Sequence, residues 1–390
     1  MQIVYLGVVV SEKKVNSMSG VSVAGNKMQL NLIRELHHKK DVDLKVISFY
    51  PLCPFPREKR VFIRKQREEL FPGQEVTQIG YINIPLIKQM CQIWGVYREA
   101  MKTTQEDSIL FSYNLLPQVG TPFLKVMKRK KIKGATLLAD LPIDSQGKRN
   151  AVSKFFANRF HNIATKNILK ARNFIVLNEH AIERFCRNAN YIVVDGAYKV
   201  EKPYCEKIFD RQEKNIVYSG ALSTYSGIIN AIEAMQYVKD NSICLEIYGD
   251  GELREYIEDI SKESKNIKYR GSVSNREMQK IQSDAWLLLN PRPVDNEIAK
   301  VTFPSKIFEY MVSGRPTLST RLNGFTKEYE DLFYWIENDD AQGIAKAINQ
   351  VSCENESALK DKAQSAYEFV VKEKTWTKQG EKIYSFLKSL

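Results

Sequence analysis

Residues 303–320, FPSKIFEYMVSGRPTLST, combine a structural signal with a chemical one. Pro304 favours the first turn of a helix, because the N–H that proline lacks would have no partner there. Gly314 and Pro316 end that helix after about ten residues. Thr317–Thr320 is rich in β-prone residues. The stretch therefore predicts a short helix that leads into a strand.

The start of this predicted helix is suited to binding an anion. Free backbone N–H groups and the positive end of the helix dipole lie there, beside Ser305, and Lys306 adds a full positive charge. Glu309 lies one turn further along on the same face as Ser305 and can accept hydrogen bonds from the vicinal hydroxyls of a sugar. A phosphate site beside a sugar site predicts a nucleotide.

The composition of the chain predicts a globular protein of two α/β domains, with 390 residues of which 43% are hydrophobic and 27% charged. Ile3–Val10 is predicted to be a first strand rather than a signal peptide, since no basic residues precede it and no small-residue cleavage site follows. No window approaches the roughly 18 consecutive apolar residues of a membrane span. We therefore expect a cytoplasmic protein.

The cysteines and histidines give no indication of a metal site. Six cysteines are scattered without any C-x-x-C spacing, and four histidines show no zinc-binding pattern. Asp41 and Asp43 form a D-x-D sequence, but the pair precedes its predicted strand, whereas ligand-binding residues in such sheets follow their strands. A turn is the better interpretation, and no metal is predicted.

The positive charge of the chain is concentrated in its first half. Residues 1–200 contain 32 Lys and Arg against 16 Asp and Glu, whereas residues 201–390 contain 26 against 30. A basic surface attracts nucleic acid, an anionic membrane leaflet or a polyanionic substrate, and the charge alone does not choose among them. Nucleic acid is not predicted, because the basic runs lack interleaved aromatic residues and no reading helix is evident.

Two successive series of strands and helices are predicted. In the first, Ile3–Val10 and Leu44–Phe49 flank a helix of about residues 27–37 whose apolar side chains share one face. The second begins with a strand at residues 215–219, after a linker at residues 196–214 that lacks clear periodicity. Parallel crossovers of this kind build doubly wound sheets, which bind ligands beyond the carboxyl ends of their strands. The predicted fold class is α/β with two Rossmann-like domains.

The opening stretch resembles the donor-site signature of GT-B glycosyltransferases of the family 4 type, in which a helix with a Pro-Ser-Lys start and an acidic residue grips a nucleotide-sugar. The resemblance covers most of residues 214–335 and the first half only loosely. It implies an acceptor-binding domain, residues 1–196, and a donor-binding domain, residues 197–374. It also implies that a terminal helix, residues 375–390, packs back on the first domain.

The resemblance indicates which residues contact the donor diphosphate. Family members carry an Arg just after the glycine of the first donor-domain strand and a Lys just before the next helix, but Ala221 and Ser226 stand at these positions. A diphosphate then needs other counter-charges. Lys306 is the first candidate, and Arg292 and Lys300 come next.

Other donor contacts are implied by the same resemblance. The second acidic residue of the family falls at Val301, so Glu297 is the predicted substitute. Gly25, Gly220 and Gly249 are predicted to let the backbone approach the donor closely. An ordinary loop explains Gly25 equally well, and a turn alone explains Gly249.

Asp140 is the candidate catalytic residue of the first domain. It follows a predicted strand, so it is expected at the ligand-binding edge of the sheet, where a carboxylate can orient or deprotonate an acceptor hydroxyl. A turn residue before Leu-Pro is the alternative interpretation. The resemblance implies retention at the anomeric carbon. Because no paired carboxylates emerge, front-face attack is predicted, with Lys306 stabilising the leaving diphosphate and no metal or other cofactor required.

Taken together, these features predict a retaining hexosyltransferase. It would transfer a sugar from a nucleotide-sugar to a hydroxyl of a lipid-linked or oligosaccharide acceptor, in the biosynthesis of a cell-surface polysaccharide such as a capsule or exopolysaccharide. The basic first half predicts contact with an anionic membrane at its cytoplasmic face. Two alternatives stay open: a non-catalytic GT-B partner subunit, and a nucleotide-sugar epimerase.

Overall fold

The computed structural model describes most of the chain: residues 1–15, 17–18, 20–85, 87–141, 151–183, 188–200, 204, 213–295, 303–304 and 306–390, with backbone only for 151–156. The chain divides into two compact units. The first unit is Met1–Asp195 with Trp376–Leu390, and the second is Gly196–Thr375. The predicted linker, residues 196–214, lies in part outside the described residues.

The first unit is built on an eight-stranded sheet in the order β10-β9-β8-β7-β1-β2-β5-β4. All neighbours in it are parallel except β4 and β5, and β3 pairs separately with β6. The strands are β1 (Gln2–Leu6), β2 (Asp43–Ser48), β3 (Phe62–Ile63), β4 (Gln66–Phe71), β5 (Gln74–Gln78), β6 (Tyr81–Ile82), β7 (Ile109–Tyr113), β8 (Gly134–Leu138), β9 (Asn173–Val176) and β10 (Asn190–Val193).

The first strand is shorter than the apolar run that predicts it. β1 ends at Leu6, whereas the run extends to Val10. After Leu6, backbone N–H groups donate to side chains instead of to a neighbouring strand. The Val8 N–H donates to Gln29 Oε1 at 3.0 Å, and the Val10 N–H donates to Asn26 Oδ1 at 2.9 Å. The predicted extent was wrong because polar side chains of the following helix satisfy this loop.

The helices of the first unit include a longer second helix than predicted. They are α1 (Glu12–Val15), α2 (Val23–His37), α3 (Ile87–Thr103), α4 (Pro117–Lys130), α5 (Ala151–Lys170) and α6 (His180–Glu183). Ser22 caps α2, with its Oγ accepting a hydrogen bond from the Gly25 N–H at 3.2 Å. Gly25 therefore lies inside the first turn, and the expectation that it precedes the helix was wrong.

The second unit contains a six-stranded, fully parallel sheet in the order β13-β12-β11-β14-β15-β16. Its strands are β11 (Lys214–Ser219), β12 (Ile243–Tyr248), β13 (Ile267–Gly271), β14 (Leu287–Asn290), β15 (Thr317–Thr320) and β16 (Tyr334–Ile336). Its α-helices are α7 (Ile228–Ala234), α8 (Arg254–Glu263), α9 (Asn275–Asp284), α10 (Lys306–Met311), α11 (Ala341–Ser352) and α12 (Glu356–Glu373). One mainly parallel and one fully parallel sheet, both flanked by helices, confirm the predicted α/β class with two Rossmann-like units.

The helix of the opening stretch is only six residues long, shorter than predicted. After Met311 the chain tightens, since the Ser313 N–H donates to the Tyr310 carbonyl three residues back at 3.1 Å. Gly314 then takes a φ of 76°, a left-handed conformation that ends the helix before the strand β15. The predicted order of helix, glycine and strand is confirmed.

The last helix, α13 (Trp376–Ser389), belongs to the first unit and packs against α2. Its Ile383 and Leu387 side chains are fully buried in the core beside β1 and β2. Tyr384 donates its hydroxyl to Asp41 Oδ2 at 2.6 Å, so the first residue of the D-x-D sequence is engaged by this helix. None of the helices in the described part of the chain is long and apolar enough to cross a membrane.

We predict that Leu387→Ala destabilises the first unit by about 2–5 kcal/mol, because it leaves a cavity under a fully buried side chain. Thermal denaturation followed by circular dichroism measures the loss. The matched control is Leu169→Ala, the same change at an exposed position of α5, where a cost below about 0.5 kcal/mol is expected. Equal losses in the two variants would contradict the packing of α13.

Candidate functional site

A cavity of about 390 Å³ opens at the carboxyl ends of β11 and β14 in the second unit. This is the edge at which parallel doubly wound sheets bind ligands. The lining residues come from the loop after β11, from the loop after β14 and from the start of α10. They include Tyr218, Ser219, Gly220, Ala221, Ser223, Tyr225, Ser226, Asn290, Arg292, Phe303, Pro304, Lys306 and Tyr310.

Lys306 supplies a positive charge to this cavity. Its Nζ donates a hydrogen bond to the Ser219 carbonyl at 2.8 Å, and no ion pair joins it to a carboxylate within the described residues. The residue is exposed as a whole. Even so, desolvation of its ammonium group lowers its pKa, against the opposing field of Glu309. An anion in the cavity would supply the charge partner that this ammonium group lacks.

Arg292 brings a second positive charge from the loop after β14. The residue is half-buried, and its guanidinium has no hydrogen-bond or ion-pair partner among the residues that the structure describes. Desolvation lowers its pKa, and Tyr218 partly offsets this effect. A half-buried guanidinium with unused donors costs free energy unless something binds it. The cavity thus has two cations with hydrogen-bonding capacity to spare.

A buried tyrosine holds the loop after β11 in place. The Ser219 N–H donates to Tyr310 Oη at 3.1 Å, and Gln282 Nε2 donates to Ser219 Oγ at 3.2 Å. Burial raises the pKa of Tyr310, so it stays a neutral phenol. Because Tyr310 is one turn after Lys306 in α10, one short helix positions both the carbonyl of Ser219 and the ammonium group that binds it.

The glycines of the predicted donor site make their close contacts within the protein. Gly249 has a φ of 142°, and a Cβ on it would stand 1.8 Å from the Gly220 carbonyl oxygen. Gly251 has a φ of 159° and similarly faces the Leu222 carbonyl oxygen at 2.3 Å. Gly220 lines the cavity, whereas Gly249 is not among the lining residues. Gly249 therefore supports the loop that carries Gly220.

Ala221 and Ser226, the positions of the two missing cations, both line the cavity. Ser226 donates its hydroxyl to the Ser223 carbonyl at 2.6 Å, which closes a turn before α7. The exposed Tyr225 ring lies between them in sequence and also lines the cavity. On this side the cavity offers hydroxyl groups and an aromatic ring, and its positive charge comes from Lys306 and Arg292.

The remaining predicted donor residues divide into two groups. Glu309 is half-buried in α10 and interacts electrostatically with Lys306, but it is not among the residues that line the cavity. Glu297, Lys300 and Ser305 lie outside the described residues.

Asp140 and Gly25 line a different cavity, of about 380 Å³, in the first unit. Asp140 follows β8 and is exposed, and its Oδ2 accepts a hydrogen bond from Asn114 Nδ2 at 2.9 Å. Asn114 Oδ1 in turn accepts from the Asp140 N–H at 3.0 Å. A carboxylate is thus fixed by an amide at the carboxyl edge of the sheet. Gly25, predicted as a donor residue, lines the same cavity as Asp140.

Sequence reasoning missed Tyr218, Tyr225, Tyr310 and Asn290 as lining residues of the second unit's cavity. Tyr310 is buried, and its hydroxyl accepts a hydrogen bond from the Ser219 N–H. The feature of the sequence that could have indicated this role is that Tyr310 lies four residues after Lys306. Asn290 lies at the end of β14, where residues of a parallel sheet reach the ligand edge.

The part of the chain that matches a known protein family lies within the second unit. Residues 213–353 match the model of the family described as Glycosyl transferases group 1. No curated protein has a matching sequence. The chain is similar to the structure of sucrose-phosphate synthase from Thermosynechococcus elongatus, with a TM-score of 0.68 at 13% identity over 100% of this chain and 99% of that one. The fold is that of the GT-B glycosyltransferases.

Two further GT-B structures are similar over the whole chain. Anabaena HepE in complex with UDP has a TM-score of 0.63 at 13% identity, covering 100% of both chains. The apo form of WaaB, a lipopolysaccharide outer core galactosyltransferase, has a TM-score of 0.68 at 13% identity, covering 100% of this chain and 99% of that one. The predicted GT-B resemblance is confirmed, while the family 4 type and retention stay predictions.

We predict that Gly249→Ala destabilises the second unit more than Gly271→Ala. Both glycines have left-handed φ angles, 142° and 74°, so each substitution carries backbone strain of about 1–3 kcal/mol. Only Gly249 adds a clash, because a Cβ on Gly271 has nothing within 4 Å. Thermal denaturation compares them, and an equal fall in Tm would show that the contact with Gly220 contributes nothing.

Proposed function

We propose that this protein is a glycosyltransferase that takes a sugar from a nucleotide-sugar held in the second unit. The observation that carries the proposal is the pair Lys306 and Arg292. Both are desolvated cations without a carboxylate partner among the described residues, and both line a cavity at the ligand edge of the sheet. They lie in the region that matches the Glycosyl transferases group 1 family.

The two cations would act on the leaving group of the transfer. When the bond between the anomeric carbon and the diphosphate breaks, negative charge develops on the diphosphate oxygens. Preorganised donors in a partly desolvated site stabilise such charge without having to reorganise. We propose that Lys306 and Arg292 take the place of the cations that Ala221 and Ser226 do not provide, with Lys306 held in position by Ser219.

For the acceptor step we propose that Asp140 orients the attacking hydroxyl, with the acceptor bound in the cavity of the first unit. Asn114 fixes the Asp140 carboxylate, which a general base or orienting group requires. We further propose a retaining, front-face reaction in which the departing diphosphate oxygen takes the proton of the acceptor. The proposal assigns no step to a metal or other cofactor.

The acceptor that we propose is lipid-linked or an oligosaccharide, in the assembly of a cell-surface polysaccharide. Two findings support this setting: the excess of basic residues in the first 200 positions, and the likeness of the fold to that of WaaB. A basic surface favours a substrate carried on an anionic membrane or a glycan that is itself anionic.

We predict that UDP raises the Tm of the wild-type protein, and that Lys306→Met weakens UDP binding about tenfold or more, since a hydrogen bond to a charged group contributes about 1.5–3 kcal/mol. UDP is the first probe because HepE was solved with it. Thermal shift across a UDP titration measures the effect. The matched control is Lys280→Met, at an exposed lysine of α9 that does not line the cavity.

An equal UDP shift in the wild type and in Lys306→Met would show that the diphosphate site is assigned wrongly. If UDP-sugars bind but are not turned over with any lipid-linked or oligosaccharide acceptor, the non-catalytic partner becomes the better account. Inversion of the sugar ring stereochemistry without transfer would favour the epimerase.

We predict that UDP affinity falls at alkaline pH, before an ordinary lysine would lose its proton, and that Lys306→Arg removes most of this fall. Desolvation lowers the pKa of Lys306, so the ammonium group loses its proton at a lower pH than an ordinary lysine. Only the protonated form attracts a diphosphate, and arginine stays charged throughout. Isothermal titration calorimetry at several pH values measures both proteins. Ionisation of uracil affects the two alike, so parallel curves would contradict the role of Lys306.

A further inference from the structure

The helix α3 presents large apolar side chains to solvent. Met90 and Trp94 are 71% and 59% exposed, and Ile87 is also exposed. Their spacing of three and four residues places them on one face of the helix, while Val96 and Ala100 are buried on another. Three large apolar groups in a row on one exposed helix face cost free energy in water unless a partner covers them.

Residues from the segments before α3 extend this apolar face. Phe62, in β3, is 75% exposed and lines one groove together with Trp94. Phe55 and Ile84 are exposed as well, and the Phe55 N–H donates to the carbonyl of Asn83, the neighbour of Ile84, at 2.9 Å. We call this the α3 surface, and define it by Phe55, Phe62, Ile84, Ile87, Met90 and Trp94.

Cations surround the α3 surface. Lys65, Arg98, Lys102 and one carboxylate, Glu99, line the same groove as Phe62 and Trp94. Lys65 forms an ion pair with Glu99, and the Arg98 guanidinium carbon lies 4.4 Å from the centre of the Trp94 ring. The exposed Arg57, Lys59, Arg60 and Arg64 belong to the segment that joins Phe55 to β4. Residues 55–102 contain nine Lys and Arg against five Asp and Glu. The partner that fits is therefore apolar at its centre and negatively charged around it.

The α3 surface is carried by a firmly packed element. A Cβ on Gly95 would stand 2.3 Å from Ile79 Cγ2, so the absence of a side chain allows α3 to lie close against the chain after β5. Exposed apolar residues on such a helix cannot turn inward without unpacking it. The surface is thus available for docking in the structure as it stands.

We infer that the α3 surface docks on a membrane that contains anionic lipid. Ile87, Met90 and Trp94 would enter the boundary between headgroups and acyl chains, while the surrounding cations bind lipid phosphates. A single-stranded nucleic acid fits less well, because aliphatic Ile87 and Met90 offer no ring on which a base can stack. The inference rests on the proposed function in one respect, because it assigns the membrane contact of a lipid-linked acceptor to one surface; it involves neither the cavity of the second unit nor any sugar.

The test is co-sedimentation of the full chain with vesicles. We expect binding to vesicles of phosphatidylcholine with phosphatidylglycerol, and at least tenfold weaker binding to phosphatidylcholine alone. Met90→Glu with Trp94→Glu should weaken binding to the anionic vesicles at least tenfold. Leu169→Glu is the matched control, because Leu169 is an exposed helical residue of the same unit, 51% exposed, outside the α3 surface. Equal binding by the double variant and the control would overturn the inference.

Tryptophan fluorescence gives a second readout that needs no disruptive change. Anionic vesicles should shift the emission of the wild type to shorter wavelength, and Trp94→Phe should remove the shift while vesicle binding is largely kept. Binding of polyuridylate without vesicle binding would assign the surface to nucleic acid instead. Concentration-dependent dimerisation that Met90→Glu abolishes, with no vesicle binding, would assign it to a second copy. UDP binding is measured separately, so a failure of vesicle binding is distinguishable from a failure of the proposed donor site.

Discussion

The hydrogen bond from Lys306 Nζ to the Ser219 carbonyl connects the two elements on which the candidate site depends. It ties the start of α10 to the last residue of β11, and the Tyr310 hydroxyl accepts a hydrogen bond from the N–H of the same serine. A bond between a charged donor and a carbonyl contributes about 1.5–3 kcal/mol. More important than this free energy is that the carbonyl orients the Lys306 ammonium group without neutralising its positive charge.

This arrangement explains how the cavity can work with alanine and serine at positions 221 and 226. A lysine or arginine at position 221 or 226 would place the positive charge on a flexible side chain of a loop. Here it comes from Arg292 and Lys306, each partly desolvated and each on a different element of the sheet edge. Glycines at 249 and 251 allow their loop to lie close to the carbonyl oxygens of Gly220 and Leu222, and Gly220 lines the cavity.

The sequence predicted local features well and contacts between distant segments poorly. The strand Thr317–Thr320 and the position of Lys306 at the start of α10 follow from residues next to each other, where turn and helix preferences act directly. The early end of β1 could not be predicted, because it depends on Gln29 and Asn26 reaching back to the loop. The close neighbour of Gly249 could not be predicted either, because it is Gly220, about thirty residues away in the chain.

The central claim is that Lys306 and Arg292 form the diphosphate site of a GT-B glycosyltransferase. A crystal structure of the protein with UDP tests it most directly. The account predicts that diphosphate oxygens lie within about 3.2 Å of Lys306 Nζ and of the Arg292 guanidinium, beside Ser219 and Gly220. Diphosphate bound elsewhere, with both cations left without an anionic partner, would contradict it.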